Sequence, residues 1–218
     1  MKKKKRFFHF FIITALLITT LYVLYRFYII PHKQYTNKDF KIETYISCVD
    51  KDNDGIDDQT DILKNVRTYI AAKPKYQSKY YGTGYPDDGF GVCTDVVAFG
   101  LKDAGYDLME LINEHIKSNR ELYEIDVVDK NIDFRRVRNL KVYFDNNAIS
   151  LTTDIYKIAE WQGGDIIVFK KHIGIVSDKR NRNGVSFIIH HSNPYQINYE
   201  EDKLEELQEE IIGHYRIS

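Results

Sequence analysis

The sequence predicts an α+β domain with an N-terminal helical part and an antiparallel β-sheet, preceded by one transmembrane helix. Three observations support this expectation. The first thirty residues join a basic cluster to a long apolar run. Apolar residues then recur at helical spacing from about residue 62 to residue 144. After residue 160, short runs of β-branched residues alternate with turns that contain Gly and Asn, which is typical of antiparallel strands.

The N-terminus has the pattern of an uncleaved signal anchor. Residues 2–6 are all basic, and the apolar stretch from Phe7 to Tyr25 is long enough to cross a hydrocarbon core of roughly 30 Å. Basic residues stay on the cytoplasmic side, so the rest of the chain is expected outside. A cleavable signal would have a shorter apolar region and a small-residue cleavage site. We therefore expect a single-pass cell-membrane protein with an extracytoplasmic C-terminal domain; cleavage and secretion are the alternative.

The remaining chain suits one domain with a sizeable core. We expect an anchor over residues 1–30, a linker over 31–45, an acidic loop over 46–61 and the main folded domain over 62–218. The formal net charge of the whole chain is -1. Such a balance gives no field for binding nucleic acid, so no nucleic-acid partner is expected.

Cys93 is one of only two cysteines, and it lies between a Gly-rich loop at residues 81–91 and a predicted amphipathic helix. The free N–H groups and the dipole at a helix N-terminus stabilise a thiolate, which predicts a lowered thiol pKa. The same N–H groups would hold the oxyanion formed by attack on a carbonyl. Cys93 is thus a candidate nucleophile; the alternative is a buried, unreactive thiol.

Two histidines are placed to reach this thiol. Residues 171–178 and 185–191 are predicted strands joined by a polar connection that ends in Asn-Gly, so they should form a hairpin. If Asp178 pairs with Val185, His172 lies opposite His191, and a register shorter by one places it opposite His190. Either register gives two facing imidazoles, which is the base and orienting group that a thiol nucleophile needs.

Four segments in order resemble the motifs of a bacterial family catalogued as domain of unknown function 1287. They are GVCTDVV at residues 91–97, NIDFRRVRNL at 131–140, HIGIVSD at 172–178 and GHYR at 213–216. The similarity runs from about residue 57 to the C-terminus. The order of the cysteine, the GDIIVF strand, HIGIV and FIIH also resembles the NlpC-type cysteine peptidases of bacterial cell-wall metabolism. This resemblance implies a papain-like fold.

By the same resemblance, Cys93 matches the nucleophile, His172 the base and His190 the third polar residue. The sequence departs from the family pattern at His191, Phe134 and Arg138, where Asn, His and Pro are frequent. The implied activity is that of a cysteine peptidase or amidase, which needs no cofactor for its chemistry, acting on peptidoglycan peptides. Two alternatives remain: a non-catalytic, calcium-stabilised surface binding module, or an acyltransferase that uses the same dyad.

An acidic loop precedes the domain. In a twelve-residue stretch with Gly at position 6, the candidate calcium ligands are Asp50, Asp52, Asp54, Ile56, Asp58 and Asp61. Calcium takes six to eight oxygens, and alternating carboxylates around a Gly bend supply them. We expect a possible structural calcium ion here. The alternative is a solvated acidic linker whose last residues cap a helix over residues 62–72.

Several side chains have both a functional and a structural interpretation. Tyr81 and Tyr85 could line a substrate groove, although aromatic packing is as reasonable. Arg135 and Arg136 could bind a substrate carboxylate, but a structural ion pair is favoured. Cys48 is expected to be a free thiol rather than a disulfide partner of the candidate nucleophile.

The C-terminal part is expected to form a solvated, charged helical face over residues 199–210 and an edge strand over 211–217. His214, inside that strand, is expected to be structural.

Overall fold

The computed structural model describes residues 2–27 and 29–218. The chain divides into two compact units, Met1–Lys33 and Gln34–Ser218. The first unit contains helix α1, Lys2–Arg26, of which Lys4–Arg26 is long and apolar enough to cross a membrane. At 1.5 Å per residue that stretch spans about 35 Å. The structure thus has an N-terminal apolar helix where the sequence predicts one.

The second unit is a mixed α+β domain in which the longer helices precede the large sheet. The helices are α2 (Asp58–Ala71), α3 (Cys93–Lys102), α4 (Leu108–Ser118), α5 (Lys130–Asp133), α6 (Val137–Asn147) and α7 (Leu204–Leu207). The strands are β1 (Lys75–Tyr76), β2 (Phe90–Gly91), β3 (Ile149–Ser150), β4 (Ile166–Phe169), β5 (Ile173–Arg180), β6 (Ser186–Ile189), β7 (Glu200–Glu201) and β8 (Ile211–Arg216).

Six strands form one antiparallel sheet in the order β3-β8-β4-β5-β6-β7, and β1 and β2 form a separate short parallel pair. The four residues of β4 are all buried, because apolar groups cover both faces of the sheet. Helices α2, α3 and α4 pack with Ile166 and Ile175 on one face, whereas Trp161 and Leu204 pack with Ile167 on the other. The expected antiparallel sheet that follows helices is confirmed.

The segment predicted as a linker, residues 31–45, belongs to the folded domain from Gln34 onwards. Tyr35 and Arg180 exchange two backbone hydrogen bonds of 2.8 Å. The buried Asn37 accepts from Arg180 Nε at 2.6 Å and donates to Gln162 Oε1 at 2.9 Å. Polar anchors of this kind leave no hydrophobic pattern, so the sequence suggested a free connection.

Helix α2 begins earlier than the predicted start at residue 62. Its N-cap is Asp57, whose carboxylate accepts from the N–H groups of Thr60 at 3.2 Å and Ser47 at 2.9 Å. Asp58 and Asp61, two of the candidate calcium ligands, therefore lie inside the helix and not in a loop. A capping carboxylate five residues before the first apolar residue of the stripe accounts for the difference.

The C-terminal segment differs from its sequence prediction in two ways. Residues 199–210 contain strand β7 and short helix α7, with Glu201 and Leu204 buried, instead of one solvated helical face. Strand β8 lies between β3 and β4, so it is an interior strand and not an edge. Two-residue strands such as β3 and β7 are too short to leave a periodic signal in the sequence. They form the two edges of the sheet, so β8 becomes an interior strand.

Candidate functional site

Cys93 is the first residue of α3, and it is half-buried where this helix meets strand β5. The backbone N–H groups of Ile173, Thr94 and Cys93 itself all stabilise a negative charge on its sulfur. Ile173 directly follows His172 in the chain, so the sulfur and the imidazole lie at the same end of β5. The structure therefore places the candidate nucleophile beside the residue that follows the candidate base.

The start of α3 is held in place by a buried carboxylate. Asp95 accepts a hydrogen bond from the Val92 N–H at 2.8 Å, which closes the first turn around Cys93. Its two oxygens also accept from Arg135, at 2.7 Å from Nε and 2.9 Å from Nη2. Arg135 Nη1 donates to the Lys79 carbonyl at 2.7 Å. Arg135 thus ties the loop before the cysteine to the helix, and the ion pair is structural as favoured from the sequence.

His172 lies in the tight connection between β4 and β5, where its carbonyl accepts from the Phe169 N–H at 2.8 Å. Its Nε2 lies 2.7 Å from Nδ1 of His190, which directly follows β6. His190 Nε2 in turn lies 3.1 Å from Oε2 of Glu201 on β7. The result is a chain of polar groups that runs from the thiol site across three neighbouring strands.

The strand register explains why these two imidazoles meet. Near the site, Ile175 pairs with Ile189 and Val176 with Ile188. Extended toward the site, this register makes His172 and His190 diagonal neighbours on one face of the sheet. Both registers predicted from the sequence are wrong: near the turn Arg180 pairs with Ser186, and an irregularity between Val176 and Arg180 then shifts the pairing by two residues before the site. The register observed at the site differs from the shorter predicted register by two residues, an even number, so the face of His190 agrees with that prediction.

Burial favours the neutral forms of both Cys93 and His172. Burial raises the pKa of the Cys93 thiol to about 11, and this exceeds the lowering by the surrounding backbone N–H groups. Burial, together with the neighbouring His190 and His191, lowers the pKa of His172 to about 3. The expectation of a lowered thiol pKa is therefore wrong, since the helix N-terminus is present but burial outweighs it.

His191, the other candidate from the hairpin, makes no hydrogen bond through its buried Nδ1. Its ring meets Tyr76 edge-on at 5.1 Å and Tyr199 at 4.9 Å. Burial lowers its pKa to about 4. Tyr76 lies close enough to Cys93 that the thiolate charge contributes to raising the tyrosine pKa, after burial as the first cause. His191 thus packs against the ring of Tyr76, which lies near the Cys93 thiol.

The two tyrosines predicted to line a groove are buried in the core instead. Tyr81 donates to Asp88 at 2.8 Å, and Tyr85 donates to Asp107 at 2.8 Å. Arg136, the other candidate for a substrate carboxylate, lies 3.3 Å from Asp133 in an ion pair. These contacts account for all three side chains without a ligand.

Glu201 is the site residue that sequence reasoning missed. The segment around it is dense in acidic residues, and neither spacing nor hydropathy separates Glu201 from its neighbours. Burial is what distinguishes it, since its exposed fraction is only 8%. That value follows from the pairing of Ile188 with Glu201 at the end of the sheet, which the sequence does not reveal.

The acidic loop brings together three of the six predicted calcium ligands. Carboxylate oxygens of Asp50, Asp52 and Asp54 lie within 4.8 Å of one another. Asp58 instead accepts from the Lys51 N–H at 2.8 Å and from the Tyr106 hydroxyl. Asp61 accepts from Asn65 and Lys64 within helix α2. The Ile56 N–H donates to Asp54 at 2.8 Å inside the loop. The three loop carboxylates suit a hard cation such as calcium.

The GHYR motif forms a separate buried cluster. His214 lies between the Thr152 carbonyl, 2.7 Å from Nδ1, and Asp165, 3.1 Å from Nε2. Arg216 makes two hydrogen bonds of 2.8 Å to the same carboxylate, and Trp161 stacks on the imidazole at 3.8 Å. Both ring nitrogens of His214 are occupied, which fits the structural role expected from the sequence. Both cysteines are also free, as expected, with Cys48 exposed.

Comparison with known proteins is consistent with these motifs. A family described as Domain of unknown function (DUF1287) matches residues 63–217. The chain is 33% identical over 168 residues to a protein of Escherichia coli (strain K12) described as Uncharacterized protein YijF, which covers 71% of this chain and 80% of that relative. No solved structure matches the chain significantly. Because the family match covers most of the folded domain, the chain belongs to the DUF1287 family.

Proposed function

We propose that this protein is a cysteine hydrolase that cleaves amide bonds through Cys93 and His172. The observation that carries the proposal is the position of the thiol at the start of α3, beside the Ile173 N–H and at the same end of β5 as His172. The hydrogen bond between His172 and His190 supplies the orienting group of such a site. The cysteine at the start of a helix and the histidines at the ends of neighbouring strands also support a papain-like architecture for the domain.

The neutral resting state sets the order of events. Cys93 Sγ attacks the carbonyl carbon while its proton moves to Nδ1 of His172, so the C–S bond forms as the S–H bond breaks. The first N–H groups of α3, on Cys93 and Thr94, are available for the resulting oxyanion. The tetrahedral intermediate collapses with loss of the amine, which takes the proton from His172. Water then hydrolyses the thioester, releasing the acid and restoring the thiol.

The proposed substrate is a peptide of the bacterial cell wall, and the proposed location is the outer side of the cell membrane. Helix α1 begins with the basic cluster and supports an anchor with its positive end in the cytoplasm. Peptidoglycan stem and cross-bridge peptides are the amide polymer available to a domain held there. The resemblance to NlpC-type peptidases supports the same choice.

The test is digestion of purified peptidoglycan by the full-length chain in detergent, with products identified by mass spectrometry. The parent is expected to release fragments that carry a new amine and a new carboxylate. Cys93→Ala should abolish this release, whereas Cys48→Ala, which removes the exposed thiol, should keep it. Fragments joined to an added amine acceptor would favour an acyltransferase, and undiminished release by Cys93→Ala would contradict a cysteine mechanism.

We also propose that the acidic loop holds a structural calcium ion. The convergence of the Asp50, Asp52 and Asp54 carboxylates within 4.8 Å supports it. Each of these side chains also accepts a backbone N–H within the loop, which holds the carboxylates in place: Gly55 donates to Asp50 at 2.9 Å, for example. Such an ion would stabilise the start of α2 and take no part in the hydrolysis.

A further inference from the structure

We propose that Glu201 is a positioning residue that fixes the tautomers of both histidines in the site. By accepting a hydrogen bond from the Nε2–H group of His190, it leaves Nδ1 of His172 as the free base for the thiol. This inference rests on the proposed function and extends it to a carboxylate two imidazoles away from the reacting sulfur.

The first step is the contact between Glu201 and His190. Oε2 of the carboxylate lies 3.1 Å from His190 Nε2, and both residues are buried, with exposed fractions of 8% and 3%. Gln196 Nε2 also donates to this oxygen, at 3.3 Å. A carboxylate only accepts hydrogen bonds. The proton between the two groups therefore belongs to Nε2 of His190.

The second step follows from the chemistry of a neutral imidazole, which carries one N–H and one lone pair. With its proton on Nε2, His190 presents a lone pair on Nδ1. The group facing that lone pair at 2.7 Å is His172 Nε2, which must then be the donor. Neutral His172 thus has its single proton on Nε2, and its Nδ1 is free to accept the proton of Cys93.

Without the carboxylate, nothing would select this arrangement. His190 Nδ1–H could equally donate to His172 Nε2, and the single proton of His172 would then move to Nδ1. In that tautomer His172 cannot accept a proton on the nitrogen that remains for the thiol. Glu201 therefore acts through His190 and touches neither the thiol nor the carbonyl that it attacks.

The surroundings hold Glu201 in this role. Gln196 is fixed at both ends, since Oε1 accepts from the Ser192 N–H at 2.7 Å and Nε2 donates to the His190 carbonyl at 3.1 Å. Glu200, the neighbour on β7, faces the other way and accepts from Arg67 at 2.7 Å and from Ser177. Glu200→Gln is thus a control that changes the same strand without changing the hydrogen bonds among Glu201, His190 and His172.

The experiment is nitrogen NMR of the histidine rings in the full-length chain, labelled with ¹⁵N-histidine and held in detergent. His172→Gln and His190→Gln assign the signals. The parent is expected to show the Nε2–H tautomer for both His172 and His190. Glu201→Leu should convert a measurable fraction of both to Nδ1–H, and Glu200→Gln should leave both unchanged. A parent with Nδ1–H on either ring would overturn the inference without any variant having to fold.

A second readout separates this inference from the proposed function. Glu201→Leu is expected to lower the maximal rate of peptidoglycan cleavage at least about tenfold, with little change in the substrate concentration at half-maximal rate. If the parent cleaves through Cys93 but the tautomers in Glu201→Leu match those of the parent, the inference fails and the function stands. If the parent shows no Cys93-dependent cleavage, the function itself fails, whatever the tautomers are.

Discussion

Arg135 and Asp95 form a buried, bidentate ion pair. Asp95 lies two residues beyond the candidate nucleophile, Cys93. The Nε and Nη2 atoms lie 2.7 and 2.9 Å from the carboxylate oxygens, and the exposed side-chain fractions are 2% and 0%. The same carboxylate closes the first turn of α3 through the Val92 N–H. The family motif at residues 131–140 therefore acts on the site by fixing the helix that carries Cys93.

Removing Arg135 should destabilise the protein strongly, because Asp95 would remain as a buried charge without its partner. For Arg135→Gln we expect the free energy of unfolding to fall by about 3–5 kcal/mol. Arg138→Gln is the control, since Arg138 and Glu124 form a surface pair at 3.6 Å with exposed side chains, and its loss should cost about 1 kcal/mol or less. Urea unfolding in detergent measures both, and equal losses would contradict a stabilising role for the buried pair.

The thiol of Cys93 should react slowly at neutral pH, because burial raises its pKa to about 11. In a Cys48→Ser background, alkylation by iodoacetamide should therefore rise with pH to a midpoint near that value. At pH 7 the rate should be at least about a hundredfold lower than for a small thiol with a pKa of about 8.5. A midpoint below 8.5 would show a preformed thiolate and contradict the neutral resting pair.

Stability should fall on the acid side through His172. Its pKa is about 3 in the folded chain and about 6.5 when unfolded, so between these values the unfolded state binds more protons. The free energy of unfolding then decreases as the pH falls from 6.5 toward 3, by up to about 2 kcal/mol between pH 7 and pH 5. Urea unfolding of the parent and of His172→Gln at both pH values should reveal this difference. A gap between the two proteins that does not change with pH would contradict it.

Calcium should raise the unfolding temperature of the full-length chain. Binding to the folded state alone contributes about 2.7 kcal/mol when the free ion is at a hundred times its Kd, which corresponds to a few degrees for a domain of this size. The double substitution Asp52→Asn and Asp54→Asn should abolish the increase, because it removes two of the three converging carboxylates. Asp87→Asn, at another exposed acidic residue, should preserve it. An increase that survives the double substitution would argue against this loop.

Local patterns were enough to predict the elements that carry the site. The apolar spacing after Cys93 predicts α3, and the β-branched runs on each side of His172 predict β4 and β5. These signals are strong because each element buries a continuous apolar face whose period can be read along the chain. The order of the motifs added the family, which the comparisons bear out.

What could not be predicted depends on contacts between distant parts of the chain. The hairpin register changes at an irregularity between Val176 and Arg180, where Arg180 is drawn into the interior by Asn37 and the Gly184 and Trp161 carbonyls. Glu201 becomes part of the site only through a two-residue strand. A bulge and a two-residue strand leave almost no recognisable pattern in the sequence, yet they determine which side chains face each other.

The thiol pKa illustrates the same limit in energetic terms. A helix N-terminus is visible from the sequence, and it does lower the Cys93 pKa through nearby N–H groups. Burial acts in the other direction and is the larger effect here, but it depends on how α3 packs against β5. Sequence reasoning therefore identified the residue and one of the forces on it, while the sign of the net shift required the packed structure.

The most direct test of the account is detection of a thioester on Cys93 during peptidoglycan cleavage. The full-length chain would be mixed with peptidoglycan peptides, quenched in acid within the first turnovers and examined by intact-protein and peptide mass spectrometry. We predict an acyl adduct on the peptide that contains Cys93, which hydroxylamine removes and which does not form in Cys93→Ala. Cleavage that proceeds without an adduct, at the same rate in Cys93→Ala, would contradict the proposed function.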